Sequence, residues 1–219
     1  MFNLVLARFD EDISWVKDSG VCEYMNKVYI YNKGNAPIDG FDTCTNVVVH
    51  NLPNVGREGH TYYTHIVNNY TQYQTPKDLY TIFLQADPFP HAPNCIDNIT
   101  RFIEQVMLHS HYRPLFVPMS KTLLLANIRY PDHPGLPLQN AFKLLFHHDY
   151  KGNVPFVPGA LFAVSQQAIV SRPKYYYEGL VDFLLLSKDP LEGYIIERFH
   201  YPIFAWSEFY TNYVQLFVS

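Results

Sequence analysis

Charge is scarce in this chain: Asp, Glu, Lys and Arg make up 16% of its 219 residues, against 48% hydrophobic ones. That balance excludes an intrinsically disordered chain. A formal net charge of −4 also argues against a nucleic-acid binder that works by neutralising phosphates. Cysteine is sparse. Cys22, Cys44 and Cys95 show neither a CxxC nor a metal-ligand spacing, and an odd, sparse set is expected to be free thiols in a reducing compartment. No apolar run approaches the roughly 18 residues that cross a bilayer. The opening, Met1 to Asp12, has neither a basic start nor a long apolar stretch, so no signal peptide is expected and the location is expected to be cytoplasmic. The sequons at Asn69 and Asn98 then carry no weight. Glycine is missing from the first loop, Arg8-Phe9-Asp10-Glu11-Asp12, which weighs against a Gly-rich phosphate cradle. No Gly-x-Ser-x-Gly elbow occurs, which makes a serine hydrolase unlikely to be encoded here. His147-His148 has no partners at zinc spacing. There is no internal repeat and no low-complexity segment.

What is abundant is aromatic: 18 Tyr and 16 Phe, suited to a broad packed core or a carbohydrate-facing surface, of which the core is the expected use. Four apolar runs predict strands, Asn3–Ala7, Val28–Tyr31, Val47–His50 and Tyr80–Ala86. A helix is expected after Asp12 as N-cap, with Ile13, Trp15 and Val16 opening it. A second follows Asn54, with Tyr62, Ile66 and Tyr70 on one face and Arg57 and Glu58 in its first turn. A third starts at Asn94, with Asp97 completing a capping-box analogue and Ile96, Ile99, Ile103, Val106 and Met107 on one face. In the second half, Leu123–Ile128 is a possible strand, Tyr130–Leu138 a loop, and a strand follows Pro158-Gly159. Tyr177, Leu180, Val181, Leu184 and Leu185 mark a helix. Asp189-Pro190-Leu191-Glu192 starts the last one, with Asp189 as N-cap; the aromatic tail from Tyr201 is expected to wrap the core. Alternation of strand and helix predicts an α/β fold with a mostly parallel sheet and helices on both faces.

The stretch Tyr80–His91 concentrates the functional signal. A buried strand runs into Gln85, Asp87 and His91, and Pro88 and Pro90 end it. Ligands of open α/β sheets bind outside the carboxyl ends of the strands, so Asp87 can hold a divalent cation against phosphates, or simply form an Asp-Pro turn. Arg57 opposes the dipole at a helix start, which points to an anion that it binds; a solvated Arg packed along its stem is the alternative.

Five motifs, in order, resemble the nucleotide-sugar glycosyltransferases of the GT-A fold, in particular a small family that includes a chlorella-virus-encoded domain. They are Ala7-Arg8-Phe9-Asp10-Glu11-Asp12, Asn54-Val55-Gly56-Arg57-Glu58, Gln85-Ala86-Asp87-Pro88-Phe89-Pro90-His91, Pro158-Gly159-Ala160-Leu161-Phe162-Ala163-Val164-Ser165 and Glu197-Arg198. The likeness spans about residues 3 to 204. It implies a single GT-A-like, Rossmann-like domain over 1–219, with a nucleotide-sugar half at about 1–95 and an acceptor half at about 96–219. The implied activity is transfer of a hexose from a UDP-sugar to a hydroxyl of a glycan or glycoprotein, assisted by Mn²⁺ or Mg²⁺. The implied cation ligand is Asp87, with His91 and His200 as further candidates; the usual Asp-x-Asp reads Gln85-Ala86-Asp87 here. Ala7, Arg8 and Asp12 would line the base and ribose pocket, and Arg57 would face the diphosphate. Gln85 and Ala86 belong to the same donor site, while Asn32 and Asn54 either add hydrogen bonds to it or form turns. Glu197 is the first candidate for the general base and Asp149 the second. A sugar nucleotidyltransferase and a non-catalytic binding module of the same fold are the alternatives.

Overall fold

The computed structural model describes residues 1–39, 41, 44, 46–75, 77–120, 123–131 and 135–214. Its centre is a six-stranded sheet. The strands in chain order are β1 (Phe2–Arg8), β2 (Lys27–Asn32), β3 (Val47–Asn51), β4 (Tyr80–Gln85), β5 (Phe116–Pro118) and, later, β8 (Phe162–Ser165). They lie in the order β3-β2-β1-β4-β8-β5. The first four are mutually parallel, with Val5 flanked by Tyr29 and Phe83 and Ala7 flanked by Tyr31 and Gln85. β8 runs antiparallel to both β4 and β5, so the sheet is mixed. β1 can be almost wholly apolar because both of its faces are covered: Leu4, Val5 and Leu6 have no exposed surface.

The covering helices follow from side-chain alternation along the strands. On one face α2 (Arg57–Tyr73) sets Tyr62 against Phe83 and Phe162, at 5.1 and 5.7 Å between ring centres, and His65 against Tyr29 at 4.5 Å. On the other, α3 (Cys95–Leu108) sets Phe102 against Phe2 and Tyr80, at 5.8 and 5.1 Å. Smaller helices complete the chain: α1 (Trp15–Asp18), α4 (Leu138–Phe146), α5 (Gln166–Val170), α6 (Lys174–Leu184), α7 (Leu191–Phe204) and α8 (Trp206–Phe209). A separate two-stranded ribbon, β6 (Leu124–Asn127) with β7 (Asn153–Phe156), packs on α7. No helix among the described residues is long and apolar enough to cross a membrane.

The aromatic residues are mostly core. Tyr31, Tyr62, Tyr63, Tyr80 and Tyr177 are among the largest fully buried side chains. Buried hydroxyls cost free energy unless paired, and two neutral histidines pair several. Tyr31, His65, Tyr73 and Thr81 form one chain of contacts at 2.9–3.0 Å, and His200 Nδ1 meets Tyr63 at 2.8 Å. Burial pushes both imidazoles down to about 3, so they serve as neutral hydrogen-bonding groups. The tail does wrap a second aromatic cluster: Trp206 stacks on Phe146 at 5.0 Å and Phe209 lies near Phe142 at 5.9 Å.

Several sequence expectations need correction. Asp12 does not cap α1; its carboxylate accepts from Ser14 N and Oγ one turn early, leaving Ser14 as the cap. Asn94 makes no side-chain cap bond on α3, and Met107 points to solvent at 70% exposure. α7 begins after Pro190, which frees Asp189 for other partners, and it continues through Pro202 to Phe204. Leu185 lies beyond α6 and is half exposed. α4, α5, β5 and β7 lacked a clear periodic signal, being nine residues or fewer.

The cysteines depart most from expectation. Cys22 and Cys44 form a disulfide, and only Cys95 is free, buried at the start of α3 with burial pushing its thiol up to about 12. Spacing along the chain could not show this pairing. The two residues precede β2 and β3, whose parallel register, Val28 beside Val47, brings their amino ends together. A formed disulfide is the state that oxidising compartments favour, so free thiols no longer support a reducing location. Neither sequon presents its amide: Asn69 donates to His65 O and Asn98 to Met119 O. Replacing both Cys22 and Cys44 by Ser is expected to cost about 3 kcal/mol in urea unfolding. Reducing the native protein should give the same loss, and an unchanged transition on reduction would show that the bridge contributes nothing.

Candidate functional site

The reversal of strand order around β1, with β2 on one side and β4 on the other, opens a crevice at their carboxyl ends. A cavity of about 260 Å³ lies there. Ala7, Arg8, Phe9 and Glu11 reach it from β1, Lys33 from β2, Gln85 and Asp87 from β4, and Asn54, Arg57 and Glu58 from the start of α2. Its size is below the roughly 300–1,000 Å³ that encloses a drug-sized ligand and suits a charged end group.

Arg8 builds the wall of the crevice. The side chain is buried, and its guanidinium donates to Glu11 O, Asn32 Oδ1, Ala36 O and Pro37 O at 2.8, 2.7, 3.0 and 3.1 Å. Asn32 is held in turn by donating to Gly34 O at 3.0 Å. Asp10 accepts from the backbone of Asn35 and Ala36, which fixes the same loop. Gly34 is required there, since an added Cβ would lie 1.9 Å from Phe9 O. Arg8 and Asn32 are thus structural ties, although Arg8 still lines the cavity. Asp12 is exposed and turned to Ser14, whose backbone and hydroxyl hold its carboxyl below the usual range; it lies outside this cavity.

Asp87 sits on the turn leaving β4. Its carboxylate is exposed and, among the described residues, accepts from Phe89 N alone, at 3.3 Å. The turn itself is pinned by Trp15, whose Nε1 donates to Ala86 O at 2.8 Å and whose ring meets Phe89 edge-on at 5.6 Å. Ala86 is buried, with its N–H on Ala7 O, so it shapes the turn without lining the cavity.

The opposite wall is strained. Gly56 and Arg57 both adopt left-handed backbone, at φ 64° and 51°, which costs an Arg about 1–2 kcal/mol. The bend is held by Gly56 N on Ser187 O and Arg57 N on Lys188 O, at 2.8 and 3.3 Å. Lys33 Nζ donates to Val55 O at 2.7 Å and to Arg57 O. A Cβ on Gly56 would fall 2.5 Å from Leu184 O, and one on Gly193 would fall 2.9 Å from Arg57 Cδ. Arg57 then lies over the Tyr194 ring at 4.1 Å and pairs with Asp189 and Glu58, at 3.4 and 3.5 Å.

The chain belongs to the DUF3431 family. The model of that family, described as "Protein of unknown function (DUF3431)", matches residues 4–215. No curated protein matches the chain. The matched range of this DUF3431 protein takes in both walls of the cavity, so the remaining candidates can be placed against it.

Glu197 is buried beside the cavity but does not line it. Its Oε1 accepts from Gly159 N at 2.9 Å and its Oε2 from Arg198 at 3.0 Å. Gly159 and Ala160 are a second left-handed pair, at φ 74° and 54°, and a Cβ on Gly159 would strike His91 at 2.6 Å. His91 is exposed on the turn after Asp87 and packs on Gly159 without lining the cavity. His200 is removed from any ligand role in this geometry, sealed between Tyr63 and Phe162. Asp149 lies on the connection from α4 to β7, exposed and paired with Lys143 at 3.1 Å; it has no place in the cavity. Among the described residues no three His, Cys, Asp or Glu side chains are grouped to hold a metal.

Sequence reasoning assigned no role to Lys33 or Glu58, a half-buried and a buried charge that line the cavity. Lys33 directly follows β2, and Glu58 stands in the first turn of α2, where an acid is favourable on local grounds alone. Burial pushes the Lys33 ammonium down to about 8, with Glu58 opposing the shift. Burial raises the Glu58 carboxyl, with Arg57 opposing. An ammonium has three donors, and two of Lys33's are used on Val55 and Arg57, leaving one for an anion.

An anion bound at Lys33 favours the charged amine. Affinity for an anion such as sulfate is therefore expected to be level below pH about 8 and to weaken above it, by up to about tenfold per pH unit. Titration calorimetry across that value checks this, with Lys33→Met expected to lose the bend. A bend that persists in Lys33→Met would assign it to another group.

Proposed function

We propose that this protein is a glycosyltransferase of the GT-A kind, moving a sugar from a nucleoside diphosphate sugar, a UDP-sugar first, to a glycan hydroxyl. The observation that carries this reading is convergence. Three of the five separated motifs contribute lining residues to one cavity: Ala7, Arg8, Phe9 and Glu11 from the first, Asn54, Arg57 and Glu58 from the second, and Gln85 and Asp87 from the third. The other two adjoin it, through Gly159 against His91 and Glu197 on Gly159 N. The parallel order β3-β2-β1-β4 followed by antiparallel β8 suits the nucleotide-binding half of such a fold, with the ligand at the strand reversal.

The donor set fits a hard divalent cation of limited protein ligation. Mg²⁺ commonly takes one or two carboxylates and completes its shell with water and substrate phosphates. Asp87 is one exposed carboxylate with little other engagement, so Mg²⁺ or Mn²⁺ would be held by Asp87 together with the diphosphate. When bound, the ion would neutralise charge on the departing diphosphate. The protein's own part is to supply Lys33 and Arg57 on the opposite wall, to hold the Asp87 turn through Trp15, and to keep the crevice open through Arg8. A non-catalytic binding module gains some ground from Glu197, whose oxygens are both engaged, and from Asp149, which lies outside the cavity.

Asp87→Ala is expected to weaken UDP binding in Mn²⁺ by about tenfold or more and to leave binding without metal unchanged. Its stability should stay within about 0.5 kcal/mol of the parent, as for other exposed positions. Full metal-dependent affinity in that variant would remove Asp87 from the site.

A further inference from the structure

We propose that Glu58 is the catalytic residue that takes the proton of the acceptor hydroxyl, with Glu197 positioning the wall behind it. The inference rests on the glycosyltransferase reading of the cavity and names the one step that reading leaves unassigned.

Three observations separate the two glutamates. Glu58 lines the cavity shared with Asp87, Lys33 and Arg57, and Glu197 does not. The Glu58 carboxylate has Arg57 Nε at 3.5 Å as its ion-pair partner and accepts no hydrogen bond from another side chain among the described residues. The Glu197 oxygens are taken up by Gly159 N and Arg198, at 2.9 and 3.0 Å. A base must offer a lone pair to the proton it removes, and of the two glutamates Glu58 is the one that faces the cavity. The other lining carboxylates are Asp87, assigned to the cation, and Glu11, which lies in the exposed loop after β1 and accepts from Phe9 N.

The surroundings also suit proton transfer. Glu58 is 9% exposed, and burial with Glu197 nearby raises its proton affinity, whereas Arg57 and Lys33 keep the ionised form accessible. Tyr62, also on α2, is a further titratable neighbour, and it stays protonated because burial raises it well above its ordinary value. A desolvated carboxylate is a stronger base than one in water.

The step balances as follows. The acceptor O–H bond breaks and its proton passes to the Glu58 carboxylate. The freed oxygen pair forms the bond to the anomeric carbon, the bond from that carbon to the β-phosphate oxygen breaks, and its electrons leave with the diphosphate beside Lys33 and Arg57. Water can stand in for the acceptor, which yields free sugar and the nucleoside diphosphate.

The test measures UDP binding by calorimetry in Mn²⁺ and hydrolysis of UDP-glucose, UDP-galactose and UDP-N-acetylglucosamine by the whole chain. For Glu58→Gln the expected result is UDP affinity within about twofold of the parent and kcat lowered about 100-fold or more, the usual contribution of a general base. Hydrolysis by Glu58→Gln within about threefold of the parent, with UDP bound normally, would overturn the role of Glu58 and leave the site reading intact. A loss of kcat in Glu197→Gln as deep as in Glu58→Gln, with both folded, would return the base to Glu197. If Glu58→Gln fails to fold, Glu58→Asp takes its place, expected to bind UDP normally with reduced kcat. A parent that binds UDP but hydrolyses none of the three donors overturns the catalytic assignment, and one that binds no UDP overturns the site reading itself.

Discussion

The buried guanidinium of Arg8 is the interaction on which the crevice depends. It ends the central strand, and four acceptors from three separate stretches of chain converge on it: Glu11 O, Asn32 Oδ1, Ala36 O and Pro37 O. Hydrogen bonds to a charged group contribute about 1.5–3 kcal/mol each, and this fork ties the loops that follow β1 and β2 to the end of the central strand. Because Arg8 is spent on the protein's own backbone, it keeps β1, β2 and the following loop apart at fixed spacing. The other cations lining the crevice are Lys33, which keeps one donor beyond those on Val55 O and Arg57 O, and Arg57, which pairs with Asp189 and Glu58.

Arg57 is delivered by strained backbone. Gly56 and Arg57 share a left-handed bend, and a second such pair at Gly159 and Ala160 supports His91 and Glu197. Such bends persist only where neighbours over-determine them; here Lys33, Ser187 and Lys188 do so for the first. Close approach is the common theme. Gly34, Gly56, Gly159 and Gly193 each lie where a methyl group would collide with a loop or side chain of the crevice. The half-buried Lys33 and buried Glu58 fit the same picture, since both are raised in energy by desolvation in the free protein and can gain from a ligand or proton of the right charge.

Much of the architecture was legible in the sequence where burial is two-sided or periodic. Unbroken apolar runs located the four parallel strands, and the Tyr62, Ile66, Tyr70 spacing located α2. Asp87 and Arg57 were legible for chemical reasons, a carboxylate at a strand end and a cation against a helix dipole. Features set by adjacency in space were not. The Cys22–Cys44 bridge follows from β2 lying beside β3, and the antiparallel turn of β8 follows from how the chain re-enters the sheet. His200 and Asp149 carried the right functional groups for the roles expected of them, but one is sealed among aromatic rings and the other is paired at the surface. Glu58 was legible as a first-turn and motif residue, but its burial was not, because an acid in the first turn of a helix has an ordinary explanation.

The central claim is that the crevice between the ends of β1 and β4 binds a nucleoside diphosphate with a divalent ion. Amide hydrogen exchange with and without UDP and Mn²⁺ tests it most directly, because each wall of the crevice reports separately. The account predicts slowed exchange in Phe9–Asp12, Lys33–Ala36, Val55–Glu58 and Asp87–Phe89, with little change in α4 or β7. Protection centred on α4 and β7, or none around Asp87 and Arg57 while UDP binds, would contradict it.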